Sequence, residues 1–418
     1  MKIGIAGHIA TGSIVPFLDG DGAGLPRGYY GAPLLGTLIG ALLERGHSIV
    51  AYTTSSDMPA GTRVSASGNR FKITYCAARP RAFRYSEGHW GRAADGFKRE
   101  RVLLRQAMQH DAPDLVHAHW SYEFALAAIE SGLPHLVTCH DAPQVVLRHA
   151  PNPYRLVRYF MARRVLAEAQ NLTAVSPYLS QKIEGYAKEP ISVVPNPLPR
   201  LSVPLVESAR QFDPARPRIA MVLNGWGALK NPKLALRAFA AIRRAFPGAE
   251  LRIMGSDYGP GGKAESWAQA HGLAKGVIFM GPQPYSVLLA RLSESDLLLH
   301  PSLEETFGMS IAEAMSLGVP VIGGQASGAV PWVIGQAGCL TDLRSETAIV
   351  RAISGLLENP EALALLGRQA KVNALARFSA ESVAVDYEKR YMEIGSEPAL
   401  SRSCRTEPLS TFCESQGR

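Results

Sequence analysis

Apolar residues in this chain fall in short blocks separated by longer amphipathic stretches, and the rhythm holds nearly from end to end. Lys2 to Ala6, Ile49 to Thr53, Phe71 to Tyr75, Leu115 to His117, Leu133 to Asp141, Leu172 to Val175 and Ile191 to Pro197 read as buried strands. Between them the spacing predicts helices over Ala32 to Arg45, Arg92 to His110 and Tyr154 to Ala169, and Ser176-Pro177 opens another with a cap and a first-turn proline. Strands alternating with helices predict parallel sheets in an α/β protein. Leu198 to Pro217 is proline-rich without a long apolar run, and reads as a linker.

The rhythm then restarts. Arg218 to Leu223, Leu251 to Met254, Val277 to Gly281, Leu297 to Leu299 and Val319 to Ile322 are the next strands. Asn231-Pro232 caps and opens a helix, and others start at Glu346 and at Asn359-Pro360. Ala380 to Ile394 predicts a last helix with Val383, Ala384, Tyr387 and Tyr391 on one face. Gly395 to Arg418 is polar and aperiodic, the composition of a disordered tail. The expected organisation is residues 1–198, a linker at 199–217, a second domain at 218–378, a closing helix at 379–394 and a tail at 395–418.

Composition agrees, since 418 residues suit two full cores and 46% hydrophobic with 19% charged is ordinary globular usage. The net charge of +8 is uneven: Arg79 to Arg105 holds eight basic residues against three acids, and Arg155, Arg158, Arg163 and Arg164 follow. That bias suits an anionic partner, such as a membrane surface or a phosphorylated acceptor. Nothing resembles a zinc finger or an aromatic-studded RNA sheet, so nucleic acid is not an expected partner. Five cysteines show neither a metal spacing nor a disulfide framework, which suits reduced thiols in a cytoplasmic protein. Met1 to Gly12 lacks the apolar core of a signal peptide, and no apolar run is long enough to span a bilayer, so any membrane contact is expected to be peripheral.

The chemistry concentrates in Asp296 to Gly323. A strand runs into a loop holding Glu304 and Glu305, Gly308 permits a tight turn, Ile311 to Leu317 forms a short helix, and another strand follows. Ligands of parallel sheets bind at the carboxyl ends of strands. The amides of Gly308, Met309 and Ser310 at the helix start favour an anion. Glu305 and Glu313 suit the hydroxyls of a sugar or ribose. A nucleotide-sugar carries all three kinds of group.

Elsewhere the first strand ends in a loop with six glycines between Gly12 and Gly31. Gly12, Gly22 and Gly24 are candidates for close approach to an acceptor or a phosphate. Asp19-Gly20-Asp21 superficially matches a metal-binding Asp-x-Asp, but Asp in such a loop is a common turn former. His117 and His119 lack a third ligand at a usual spacing. No metal is therefore expected. His140, at a strand's carboxyl end, can hydrogen-bond a hydroxyl without carrying a full charge.

P-S-L-x-E-x-F-G-x-x-x-x-E-A-M-x-x-G-x-P-V-I, which spans Glu305 and Glu313, resembles the signature of retaining glycosyltransferases of family 4. The T-C-H-D step at His140 and V-V-P-N-P at Val193 to Pro197 resemble further family steps. That resemblance implies the GT-B fold, two doubly wound Rossmann-like lobes with the site in the interlobe cleft and the last helix crossing back to the first lobe. It implies sugar transfer from a UDP- or GDP-linked donor to a hydroxyl, with retention, no separate cofactor, and a glycan or lipid-linked acceptor in polysaccharide or glycoconjugate synthesis. Lys230, with the Gly308 to Ser310 amides, would hold the diphosphate, Glu313 the ribose, and Glu305 and His140 the donor sugar. The family's G-R-x-x-x-x-K-G differs here, because Gly225 stands at its arginine. Trp332 likewise replaces the acid of a G-G-x-P-E loop. Rival expectations are another GT-B enzyme, a nucleotide-sugar epimerase or a phosphorylase, or a silent sugar-nucleotide-binding protein.

Overall fold

A computed structural model describes residues 1–29, 33–85, 88–200 and 212–396. The first lobe holds β1 (Lys2–Ala6), β2 (Ser48–Ser55), β3 (Arg63–Gly68), β4 (Phe71–Ala77), β5 (Leu115–His119), β6 (His135–Cys139), β7 (Leu172–Ala174) and β8 (Ile191–Val193). They form one sheet in the order β3-β4-β2-β1-β5-β6-β7-β8, parallel throughout except for the antiparallel β3–β4 pair. The second holds β9 (Arg218–Val222), β10 (Glu250–Met254), β11 (Val277–Gly281), β12 (Leu297–Leu299), β13 (Val321–Gly324) and β14 (Cys339–Thr341), in the order β11-β10-β9-β12-β13-β14, every pair parallel.

Each order reverses direction once, between β1 and β5 in the first sheet and between β9 and β12 in the second. At such a switch point the loops leave in opposite directions and open a crevice at the strands' carboxyl ends. Ile3, Ile5, Ile49 and Leu115 bury one face of the first sheet, and Ile219, Leu251, Leu297 and Ile322 do the same in the second. The closing helix, Ala380–Ser396, packs on the helix Leu34–Glu44 of the first lobe. Its Tyr391 hydroxyl bonds His117 Nδ1 at 2.7 Å, and Thr138 Oγ1 takes the other nitrogen of that ring at 2.7 Å. Arg45 and His47 grip Glu388 of the same helix through contacts of 2.6 to 2.8 Å. The bulky residues expected on one face, Tyr387 and Tyr391 among them, are buried in this packing.

Several expectations shift. The basic helix expected from Arg92 is broken: Arg92–Asp95 is a single 3-10 turn, Gly96 and Phe97 both adopt left-handed backbone, and the α-helix runs Lys98–Asp111. The break buries Phe97 against Tyr154 and Arg92, a gain that local helix preference does not register. β3 escaped the sequence reading because Arg63–Gly68 is an exposed edge strand with few apolar residues. Ser176 caps its helix by accepting the Leu179 amide, as expected. Asn231 does not: its backbone is left-handed and its side chain donates to the Leu343 carbonyl at 2.8 Å. Residues 201–211 of the linker and 397–418 of the tail lie outside the described residues.

The basic segments are also less free than their charge suggested. Arg79 is enclosed by Asp95 and Glu100, Arg101 and Arg164 share Glu130, and Arg158 lies 3.5 Å over the Tyr122 ring. Arg81, Arg84, Lys98, Arg99 and Arg163 stay exposed.

Candidate active site between the lobes

The loops leaving β9 and β12 carry the second lobe's chemistry. They are tied together where the Leu303 amide donates to the Leu229 carbonyl at 2.7 Å. Lys230 ends a short 3-10 turn, and its Nζ reaches Glu305 Oε1 at 2.5 Å. Burial pushes the Glu305 carboxyl up, but His300 and Lys230 together pull harder and hold it at about 2. At neutral pH this is a firm ion pair beside a helix start.

That helix is Met309–Ser316, starting two residues earlier than the sequence placed it. Gly308 precedes it at φ +94°, a left-handed backbone that only glycine takes without strain. The free amides of its first turn remain available to an anion. Glu313 is one turn further in and 5% exposed, far from the solvated helix face a lone acid usually occupies. Tyr285, which opens the helix after β11, donates its hydroxyl to Glu313 Oε1 at 2.9 Å. Burial pushes the Glu313 carboxyl up to about 7, against the pull of that hydrogen bond.

Gly225 sits in left-handed backbone at φ +92°, and its carbonyl accepts the Tyr258 hydroxyl at 3.0 Å. The loop's path therefore disfavours the arginine of the family pattern at this position, because a side chain there is strained. Trp332 explains itself too, packing on Phe307 and Phe378 under the Arg377 guanidinium.

The first lobe faces this with aromatic and imidazole rings at its own switch point. His8 follows β1, His119 ends β5 with Trp120 just after it, and His140 follows β6. Trp120 lies 5.0 Å from the His8 ring and 4.5 Å from the His140 ring, centroid to centroid. His140 Nε2 meets His119 Nδ1 at 3.0 Å. Burial, with His8 adding to it, lowers His140 to about 3, so its ring is neutral at physiological pH. The two lobes touch here: Thr306 Oγ1, next to Glu305, donates to the His140 carbonyl at 2.8 Å, and Ser176 Oγ donates to the Thr306 carbonyl at 2.6 Å. On the same edge Tyr178 reaches Glu304 at 2.5 Å.

Folding thus brings His140, Lys230, Glu305, Glu313 and the Gly308, Met309 and Ser310 turn onto one inter-lobe surface. The glycine loop divides. Gly12 lies in a 3-10 turn close after β1, whereas Gly22 rests on Val15, Leu18 and Leu25, and Gly24 has open space around it. Asp21 caps the Ala23 amide and the Asp19 amide bonds the Ser67 carbonyl, at the amino end of β4 and so away from the carboxyl ends of the parallel strands. Among the described residues no group of three or more His, Cys, Asp or Glu could hold a metal ion. His117 is spent inside the lobe on Tyr391 and Thr138.

Sequence reasoning missed His300 and Tyr285. Each touches one of the two acids, His300 meeting Glu305 and Tyr285 meeting Glu313, but His300 follows an apolar strand and Tyr285 is distant in sequence from Glu313. It also missed a cavity of about 820 Å³ at the carboxyl ends of β2 and β4, lined by Met58, Ala78, Trp90 and Leu103 with Lys98 and Arg99 among its walls.

Two doubly wound lobes meet here with their switch points opposed across a cation, a helix start and two carboxylates, the arrangement of a GT-B fold. Comparison with known proteins gives the family. The model for glycosyltransferase family 4 matches residues 34–199, and that for glycosyl transferases group 1 matches residues 208–373. The chain belongs to glycosyltransferase family 4, and its activity is glycosyl transfer from a nucleotide-sugar donor. It is 29% identical to a D-inositol 3-phosphate glycosyltransferase of Segniliparus rotundus, over 68% of this chain and 67% of that protein. It is 26% identical to a glycogen synthase of Mycobacterium tuberculosis, over 67% of this chain and 69% of that protein. Among solved structures, sucrose-phosphate synthase from Thermosynechococcus elongatus superposes with a TM-score of 0.71 at 18% identity, covering 94% of this chain and 99% of that one.

Proposed function

We propose that this enzyme moves a sugar from a UDP- or GDP-linked donor to a hydroxyl with retention at the anomeric carbon, in the synthesis of a polysaccharide or glycoconjugate. The observation that carries it is the Lys230–Glu305 pair set against the Gly308 to Ser310 helix start, with buried Glu313 one turn beyond. The amides and Lys230 stabilise the charge that develops on the departing diphosphate, and they do so without reorganising. Glu313 takes the ribose hydroxyls and Glu305 the donor sugar. No separate cofactor is required, because cation and dipole together perform the electrostatic task.

Inversion needs a base on the acceptor side. His140 is a poor one: at about 3 its basicity is too low to hold a proton near pH 7. Its role is to hydrogen-bond and position the donor sugar. The acceptor enters from the first lobe, where the cavity beside Trp90, with Lys98 and Arg99, suits a phosphorylated or lipid-linked acceptor. The Segniliparus relative, by its name, acts on a phosphorylated polyol. No helix among the described residues is long and apolar enough to cross a membrane. Contact with a membrane, from the cytoplasmic side, would therefore be peripheral.

The test is a screen of nucleotide-sugars with candidate acceptors in excess chelator, with the product anomer assigned by NMR. A retained anomer without added metal is expected. An inverted product overturns the mechanism, and activity that dies with chelation and returns with manganese overturns the metal-free reading.

A further inference from the structure

The diphosphate site described above holds Lys230 where the family pattern has a lysine and an arginine, and the backbone at Gly225 strains any side chain there. His300 lies in the right place to make up the difference. It follows β12 and stays in register with the sheet, its amide donating to the Ile322 carbonyl at 2.9 Å. The residue is 3% exposed, yet its Nε2 makes no well-formed hydrogen bond. A buried imidazole nitrogen left so is costly unless something uses it. Nε2 stands 3.4 Å from Glu305 Oε1, and Nδ1 stands 3.3 Å from the hydroxyl of Ser310, the second residue of the helix.

The two protonation states of that ring have different consequences. A neutral ring with its proton on Nε2 must accept the Ser310 hydroxyl proton at Nδ1, which leaves the Ser310 oxygen presenting lone pairs to an incoming anion. A ring protonated on both nitrogens donates to Glu305 and to Ser310 Oγ, and the Ser310 hydroxyl proton is then free to point at a phosphate oxygen. We propose that His300 is a positioning residue for the leaving diphosphate: it takes up a proton as the diphosphate binds, braces Glu305, and turns the Ser310 hydroxyl into a donor.

The ring thereby supplies the second positive charge of the site. The groups facing it are few. Glu305 comes from its own loop with Lys230 behind it, and the helix offers Ser310; the Ile322 carbonyl of β13 takes the His300 backbone amide, not the ring. Glu313, on the same helix, turns instead to Tyr285.

This inference rests on the nucleotide-sugar reading, and the experiment separates the two. UDP and GDP are titrated into the full-length protein by calorimetry at pH 7.5, in buffers of different ionisation enthalpy, so that protons taken up per nucleotide are counted. His300→Gln keeps a polar side chain between Glu305 and Ser310 but cannot titrate. Protonation of the phosphate itself and of Glu313 is common to both proteins and cancels in the difference. Wild type is expected to take up on the order of one proton more than His300→Gln per bound nucleotide. Ser310→Ala should lose affinity, about tenfold for one charge-assisted hydrogen bond, while keeping the uptake. Equal uptake in wild type and His300→Gln overturns the proposal and leaves the donor reading standing. Wild type that binds neither nucleotide overturns both.

Discussion

Glu313→Gln should stabilise the unliganded protein while damaging its binding, and the structure sets the size of both effects. The Glu313 carboxyl is 5% exposed, has Tyr285 as its donor, and titrates near 7 because burial penalises its charged form. In the unfolded chain it returns to its ordinary value of 4.5. Between those two values the folded state binds more protons than the unfolded one. The carboxyl's contribution is therefore fully present below about pH 4.5 and is lost as pH rises through about 7. At pH 8 the ionised group costs about 3 kcal/mol. Glutamine keeps an acceptor for Tyr285 and carries no charge, so its advantage over wild type should appear above pH 7 and fade towards pH 5.

Thermal unfolding of both proteins at pH 5 and pH 8 measures this, because the buried histidines shift both curves alike and drop out of the difference. Calorimetry with UDP and GDP then gives the opposite sign: loss of a charged acceptor for ribose hydroxyls should weaken binding by about 1.5 to 3 kcal/mol. Melting curves that stay parallel between the two pH values refute the buried carboxylate. Unchanged nucleotide affinity refutes the ribose contact.

Lys230→Met should lower kcat by about 100- to 1,000-fold, the usual loss for one group aimed at developing charge, and steady-state rates with the best donor check it; a variant within a few fold of wild type removes Lys230 from the leaving-group site. Gly308→Ala forces a side chain into left-handed backbone and places Cβ 3.0 Å from Ile311 Cδ1, so it should cost about 1 to 2 kcal/mol of stability; an unshifted melting temperature counts against the turn. If the exposed arginines of the first lobe meet an anionic membrane, the protein should sediment with anionic vesicles at low salt and come free near 1 M, where screening shortens to about 3 Å. Protein wholly in the supernatant at low salt ends the membrane reading.

The second lobe's half of the candidate site was legible because its determinants are local. Glu305, Gly308 and Glu313 lie on one strand–loop–helix unit, so residue type and spacing nearly fix their geometry. What stayed hidden was contact between distant segments. Tyr285 meets Glu313 only because the helix after β11 packs beside Met309–Ser316. His300 looked like the end of an apolar strand, since nothing in L-L-L-H-P says which face the ring takes. Charge in the first lobe was legible only in part, for the same reason: a run of arginines cannot show that Arg79 already belongs to Asp95 and Glu100. The helix break at Phe97 follows from burial of one ring, a gain that no window of helical periodicity weighs.

The closing helix sets a rule for anyone recombining this enzyme with its relatives. Ala380–Ser396 comes after the whole of the second lobe, yet its tyrosines and Glu388 fasten to His117, Thr138, Arg45 and His47 of the first. Where the chain passes between lobes, Leu198 and Ser379 run side by side and the Leu198 amide donates to the Phe378 carbonyl at 2.7 Å. The exchangeable first-lobe cassette is therefore discontinuous, residues 1–198 together with 380–396. A chimera cut only at the linker pairs each lobe with a mismatched final helix, leaves the buried His117 without the Tyr391 hydroxyl, and should fail in folding before its activity can be read.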